Sequence, residues 1–395
     1  MSSPTFTFDV GVIGGCGHVG LPLALLLASK KRVLIYDINE NAVAQVQAGV
    51  MPFFEEGAEK LLAAGLANDS LVCSTDPSAL ASCRIIVLIV GTPVDEHLNP
   101  SFEAIPRALE RCLPFFNDEQ VLVLRSTVYP GTSAKVQRWL RERGLNMSVT
   151  FCPERVAQGY SVREFAELPQ IVSSFDERGA QAVRALFGSM NDDLVVMEPM
   201  EAELAKLLAN AWRYIQFATV NQFYMIAEHH GLDFNRILQG SRHNYPRLAG
   251  IPGPGFAAGP CLFKDTMQLA AFSQNQFFLG HAAMLVNEGL PAFVVEQLAK
   301  KVPIADKTVG VLGMGFKAES DDGRSSLSYK LKKILNLRAA RVLCTDPYVK
   351  DDSLVSLEEV LAEADALVIG TPHKAYKQLR IRPEVVVMDV WNILG

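Results

Sequence analysis

The sequence predicts an α/β protein of two Rossmann-like domains, joined by a long central helix and a small helical region. Three observations carry this. Near the N-terminus an apolar run, a glycine-rich turn and a helical stretch follow one another. Short buried-strand runs then alternate with helical stretches, the pattern of a parallel sheet. From Lys307 the order of strand, glycine turn, strand ending in Asp, and strand ending in Gly-Thr-Pro is repeated. The expected domains are residues 1–195, 196–300 and 301–395. At 395 residues the chain exceeds one ordinary core.

Composition narrows the classes. Hydrophobic residues make up 49% and charged residues 20%, a soluble globular balance. A net charge of −6 counts against a nucleic-acid binder. The apolar runs Leu21–Ala28 and Ile85–Val90 stop well short of a membrane span, so no membrane is expected. No charged-then-apolar leader is visible. The seven cysteines are scattered, with no Cys-x-x-Cys pair, which suggests reduced thiols in the cytoplasm and no metal site.

Phe8–Ile13 is the first strand. It runs into Gly14-Gly15-Cys16-Gly17-His18-Val19-Gly20 and a helix from Leu21. Gly15, Gly17 and Gly20 fit the dinucleotide fingerprint: a tight turn, a close backbone approach to a pyrophosphate, and a helix lying close on the strand. His18 and Val19 occupy its variable positions and are expected to border the same ligand. A second strand, Arg32–Tyr36, ends at Asp37. A carboxylate there accepts from ribose hydroxyls and repels a 2′-phosphate, which points to NAD. Ile85–Val90 and Val121–Leu124 are further strands, ending in Gly91-Thr92-Pro93-Val94-Asp95 and Arg125-Ser126-Thr127. Ligands bind at that edge of a parallel sheet, so Thr92 and Thr127 are either cofactor contacts or helix caps. Val149–Phe151 then leads to Cys152-Pro153-Glu154-Arg155.

Glu201–Gly231 reads as one long helix with Lys206 and Asn210 on one face. Its aromatic residues suit a core or a subunit interface, and a homodimer or larger assembly is expected. In the last third, Val309–Leu312, Arg341–Thr345 and Ala366–Ile369 are strands and Ser325–Leu335 a helix. Gly313-Met314-Gly315 lacks the full fingerprint, so a different nucleotide is expected there, with Lys317 and Arg324 placed to meet its pyrophosphate.

Between these halves the run Pro252–Pro260 is too rich in Gly and Pro for a helix or strand. It delivers Cys261 beside Lys264 and Asp265. A cation near a thiol favours the thiolate, the nucleophilic form.

Together these segments resemble the UDP-glucose/GDP-mannose dehydrogenase family over nearly the whole chain. The resemblance rests on Gly15–Ala24, Gly91–Asp95, Ser126–Val128, Pro153–Arg155, Glu203–Asn210, Cys261–Asp265 and Gly315–Lys317. It implies an NAD-dependent four-electron oxidation of the C6 alcohol of a nucleotide-linked hexose. By the same resemblance, Cys261 is the nucleophile, while Lys206 and Asn210 steady the oxyanion and position water. Asp265 and Thr127 surround that water, and Glu154 is the acid used in thioester hydrolysis. Arg155, Arg247, Gly259, Lys264, Lys317 and Arg324 are the implied substrate contacts, with Arg247 reaching across a subunit interface in some members.

Two departures bear on the sugar. Ala258-Gly259-Pro260 replaces a glycine pair before the thiol. The Pro153-Glu154-Arg155 motif suits UDP-N-acetylhexosamines, whereas Lys264-Asp265 suits UDP-glucose. Two other readings are a two-electron β-hydroxyacid dehydrogenase and a silent nucleotide sensor. The first needs neither Cys261 nor a second Rossmann-like half, and the second has no use for a thiol.

Overall fold

The computed structural model describes residues 6–92, 103–257 and 259–394. Pro93, Val94 and Asp95 of the third strand's motif, and Ala258 of the thiol loop, lie outside the described residues. The chain divides into two compact units, Met1–Leu208 and Ala209–Gly395.

The first unit is built on an eight-stranded sheet. Its strands are β1 (Phe8–Ile13), β2 (Val33–Tyr36), β3 (Leu71–Ser74), β4 (Cys83–Leu88), β5 (Val121–Leu124), β6 (Ser148–Phe151), β7 (Gln170–Ser174) and β8 (Leu194–Val196). Their order is β3-β2-β1-β4-β5-β6-β7-β8. All neighbouring strands run parallel except β6 and β7. The central strands carry unbroken apolar runs because helices cover both faces. β2 and β5 are buried at every residue. The helix Gly20–Ala28 buries all but one of its residues and packs against the helices Ala58–Ala67 and Ser161–Glu167. Each large aliphatic side chain buried in this way contributes roughly 1.5–3 kcal/mol.

The second unit carries a four-stranded parallel sheet, β9 (Thr308–Leu312), β10 (Arg341–Thr345), β11 (Ala366–Ile369) and β12 (Val386–Met388), in the order β10-β9-β11-β12. Its core joins Val309, Val311 and Val368 of the sheet to Leu290, Val294 and Leu298 of the helix Phe278–Lys301. That helix is long and apolar enough to cross a membrane by length and composition, a feature the run-length reading did not anticipate. Its inward residues belong to this core.

The long helix is Pro199–His229. At its start, Glu203 accepts from Gly131 N–H at 2.5 Å and from Ser133 N–H at 2.8 Å. These groups lie at the first turn of the helix Thr132–Glu142 and need an acceptor. Burial pushes the Glu203 carboxyl above its ordinary range, against these hydrogen bonds, which lower it. Glu203 therefore fastens the long helix to the segment that follows Thr127.

Candidate functional site

The first turn fits a dinucleotide. Gly14 sits at φ 75°, a left-handed conformation that favours glycine. A Cβ on Gly20 would stand 2.4 Å from the Gly14 carbonyl oxygen, so only glycine lets the helix begin there. A Cβ on Gly17 would meet only that same oxygen, at 3.5 Å, which leaves its outer side open to a ligand. The helix Gly20–Ala28 starts after Val19 with no side-chain cap. Its N-terminus is thus suited to phosphate. His18 stacks at 4.1 Å on the Phe53 ring beside the turn.

Asp37 lies at the end of β2, where the sequence places it. Its carboxylate accepts from Cys16 N–H at 2.9 Å and from Asn39 N–H at 3.0 Å. It lines a pocket of about 250 Å³ with Ile13, Tyr36, Ile38, Val90 and Ala108. The slot is mainly apolar, with the Asp37 carboxylate and the Arg107 and Arg111 side chains also on its lining, and it suits an adenosine. Thr92 and Thr127 meet: the Thr92 hydroxyl donates to the Thr127 carbonyl at 2.6 Å. Next to them the Ser126 hydroxyl accepts from Val90 N–H at 2.8 Å. These bonds tie the ends of β4 and β5 together.

Glu154 is held by a residue that sequence reasoning quoted but gave no role. Arg125 is buried, and its Nε and Nη2 lie 2.9 and 2.6 Å from Glu154 Oε2. The same guanidinium donates to the Cys152 carbonyl and to Gln170, and its carbon lies 4.6 Å from the Phe187 ring centroid. The other Glu154 oxygen accepts from the N–H groups of Arg155 and Val156, at 2.6 and 2.7 Å. Removing Arg125 would leave a buried carboxylate uncompensated. The signal available was an arginine ending an all-apolar strand. The Arg155 guanidinium donates to the Pro169 carbonyl.

In the second unit the thiol stands out. Six cysteines are buried, and Cys261 is exposed. Burial pushes the thiols of Cys73, Cys83, Cys112 and Cys152 up to about 12, and that of Cys344 to about 11. Cys261 is the N-cap residue of the helix Leu262–Phe272. Lys264 and Asp265 therefore belong to a helix first turn rather than a loop. The apolar spacing after Cys261, free of Gly and Pro, was the readable sign.

One turn behind the thiol, Asp265 is buried. Its Oδ2 accepts from Asn210 Nδ2 at 2.5 Å, and Lys264 Nζ lies 3.2 Å from its Oδ1. Three predicted residues, Asn210, Lys264 and Asp265, are thus brought together, one helix turn from Cys261. Lys206, half-buried, precedes Asn210 by one turn on the same helix face.

The thiol loop is pinned inside this unit. Gly259 adopts φ 103°, and a Cβ there would meet the Phe316 ring at 2.5 Å. Gly259 N–H donates to the Ser325 carbonyl at 3.3 Å. Asn221, fully buried, donates to the Gly255 carbonyl at 2.9 Å and accepts from Gly255 N–H at 2.8 Å. Arg324 makes a two-pronged pair with Asp322, at 2.9 and 2.6 Å. Hydrogen bonding to Asp322, joined by its negative charge, raises the Arg324 pKa against the burial that lowers it. Lys317 Nζ stands 5.9 Å from the Phe316 ring centroid. Arg247 is set apart, in an exposed stretch, with its guanidinium 5.7 Å from the Tyr245 ring centroid.

The chain is similar to known proteins over nearly its whole length. Residues 8–191 match the NAD-binding domain profile of the UDP-glucose/GDP-mannose dehydrogenase family, 200–288 its central domain and 310–395 its UDP-binding domain. A UDP-N-acetyl-D-mannosamine dehydrogenase from Pyrococcus horikoshii is 28% identical, over 92% of this chain and 90% of that protein. The solved UDP-D-ManNAc dehydrogenase structure from Pyrococcus horikoshii has a TM-score of 0.91 at 27% identity, covering 98% of this chain and 96% of that one. A UDP-glucose dehydrogenase structure from Pyrobaculum islandicum has a TM-score of 0.90 at 26% identity, covering 98% and 95%.

Proposed function

Since this chain belongs to the UDP-glucose/GDP-mannose dehydrogenase family, and so is an NAD-dependent nucleotide-sugar dehydrogenase, we propose that it oxidises the C6 alcohol of a UDP-hexose or UDP-N-acetylhexosamine to the carboxylate, through a thioester on Cys261. The observation that carries this is the exposed thiol at a helix N-terminus, backed by Lys264, Asp265 and Asn210. A thiolate is favoured both by the helix dipole and by nearby cations.

The C6 alcohol loses a hydride and a proton to give an aldehyde. The Cys261 thiolate adds to the aldehyde carbon, giving a thiohemiacetal that keeps the intermediate bound. Loss of a second hydride leaves a thioester, and water then cleaves the C–S bond to release the acid and the thiol. NAD+, bound at the first turn, supplies the hydride acceptor twice. Lys206 and Asn210 donate to the oxygen that gains charge at each tetrahedral carbon. Asp265 and Thr127 place the water, and Glu154 serves the hydrolysis. Arg155, Arg247, Gly259, Lys264, Lys317 and Arg324 hold the substrate in this reading. The named relatives act on N-acetylmannosamine and glucose nucleotides, which supports both sugar classes. Counting NADH formed per UDP-sugar consumed tests the proposal: two supports it, and one contradicts the second oxidation.

The working form is a homodimer or larger in this account. Leu208, Trp212, Phe223 and Ile226 leave an apolar stripe exposed along the long helix, Trp212 at 61%. Stripes of that kind mark association surfaces. Sedimentation of wild type and Trp212→Glu checks this: a multiple of the 43.2 kDa chain is expected for wild type, shifting toward monomer in the variant. A wild-type monomer at micromolar concentration contradicts it.

A further inference from the structure

We propose that His373 is a positioning residue for the nucleotide sugar: buried behind the second glycine turn, it ties Glu319 of the segment 314–324 to Asp346, and so fixes where Lys317 and Arg324 meet the substrate's diphosphate. The inference rests on the substrate reading given above.

His373 is fully buried and follows the Gly370-Thr371-Pro372 echo at the end of β11. Its Nδ1 accepts from Glu319 N–H at 3.0 Å, so its proton sits on Nε2. Nε2 then donates to Asp346 Oδ2 at 3.1 Å. One ring thereby holds the segment at Glu319 directly and at its start through Asp346. Asp346 Oδ2 also accepts from Met314 N–H at 2.6 Å and from Gly315 N–H at 2.9 Å, at the segment's start. Its Oδ1 accepts from the N–H groups of Tyr348 and Val349.

Glu319 marks the middle of the segment. It holds φ 55° and Ser325 holds φ 54°, left-handed values that cost a non-glycine residue roughly 1 kcal/mol or more. Such a conformation persists only when its surroundings hold it. Here the Glu319 carboxylate accepts from Lys374 N–H at 2.8 Å and from the Tyr348 hydroxyl at 3.0 Å. The Thr371 hydroxyl closes the base by donating to the Gly315 carbonyl at 2.5 Å. From this base project Phe316, against Gly259 of the thiol loop, then Lys317 and the Asp322–Arg324 pair. His373 is too deeply buried to touch substrate. Its effect passes through the segment it holds.

The experiment measures UDP and NAD+ binding to the full chain by titration calorimetry, for wild type, His373→Phe, His373→Gln and Lys317→Ala. Phe keeps the ring volume between Tyr348 and Tyr376 and removes both hydrogen bonds. The expected result for His373→Phe is UDP binding weakened about tenfold with NAD+ binding unchanged, since the dinucleotide turn lies in the other unit. Gln keeps an amide donor toward Asp346 and is expected to restore UDP affinity to within about threefold. Wild-type UDP affinity in His373→Phe overturns the proposal, as does parallel loss of UDP and NAD+ binding. Lys317→Ala reads the substrate assignment separately. Unchanged UDP affinity there removes the substrate reading, whereas a weakened Lys317→Ala beside a wild-type-like His373→Phe removes only the positioning role. If His373→Phe fails to fold, Tyr348→Phe frees one Glu319 oxygen without touching the ring. About threefold weaker UDP binding is expected from it, and no change overturns the proposal.

Discussion

The sheet of each unit begins with the same frame, a strand, a glycine turn and a second strand followed by Asp, yet the two turns are finished differently. In the first, residues 14–19 lead into a helix with no side-chain cap, and Asp37 lines an open apolar pocket. In the second, Ser326 caps its own helix and Asp346 turns inward to take the N–H groups of Met314 and Gly315. Asp37 takes a single turn N–H, that of Cys16, and borders the pocket, whereas Asp346 takes two and is closed in by His373. The lesson is that a shared frame does not imply a shared ligand mode. The second unit's turn became a rigid base from which side chains reach outward.

The largest effect that tests this contrast is on stability. Asp346→Ala strips the acceptor from buried donors on two segments and leaves His373 facing a void. We expect a loss of about 3–5 kcal/mol, read from the urea midpoint of unfolding. Asp37→Ala, at the matching station of the first unit, should cost about 1 kcal/mol. Equal losses would break the comparison.

A pH series sharpens it. Burial alone would raise the Asp346 carboxyl, but hydrogen bonds from His373, Val349 and Tyr348 outweigh it and bring the group from 3.8 to about 2. A carboxyl depressed in the folded state stabilises fully above its unfolded pKa, and that stability is lost as pH falls through the folded value. The stability gap between wild type and Asp346→Asn should therefore narrow by on the order of 2 kcal/mol from about pH 4 to about pH 2. A gap independent of pH in that window contradicts the assignment.

The smallest effect is on cofactor choice. Asp37→Ser removes the carboxylate that repels a 2′-phosphate, so the ratio of kcat/KM for NAD+ over NADP+ should fall about tenfold. Equal wild-type turnover with both cofactors would count against Asp37 as the discriminator.

Much of this was legible in the sequence, for physical reasons. Parallel strands buried on both faces must be apolar runs, so β1, β5, β10 and β11 were located to the residue. The first turn was readable because its glycines answer to backbone geometry. The third strand was read two residues late, as Ile85–Val90 instead of Cys83–Leu88, because β4 opens with the less strand-like Cys83-Arg84. What escaped were features set by side-chain direction. Nothing in the string Thr345-Asp346-Pro347 says that Asp346 points inward where Asp37 borders a pocket. Arg125 looked like a strand-end cation and is the buried partner of Glu154. The helix behind Cys261 was hidden by the Gly- and Pro-rich run before it.

The central claim is that Cys261 carries the sugar as a covalent thioester. The direct test incubates the enzyme with UDP-glucose or UDP-N-acetylmannosamine and NAD+, quenches in acid, and maps adducts by peptide mass spectrometry. A UDP-sugar mass is expected on the Cys261 peptide of wild type. Cys261→Ser is expected still to bind NAD+ but to make no acid at a useful rate, since a hydroxyl is a far weaker nucleophile than a thiol at neutral pH. A Cys261→Ser or Cys261→Ala enzyme that forms the uronic acid at near wild-type rate would contradict it.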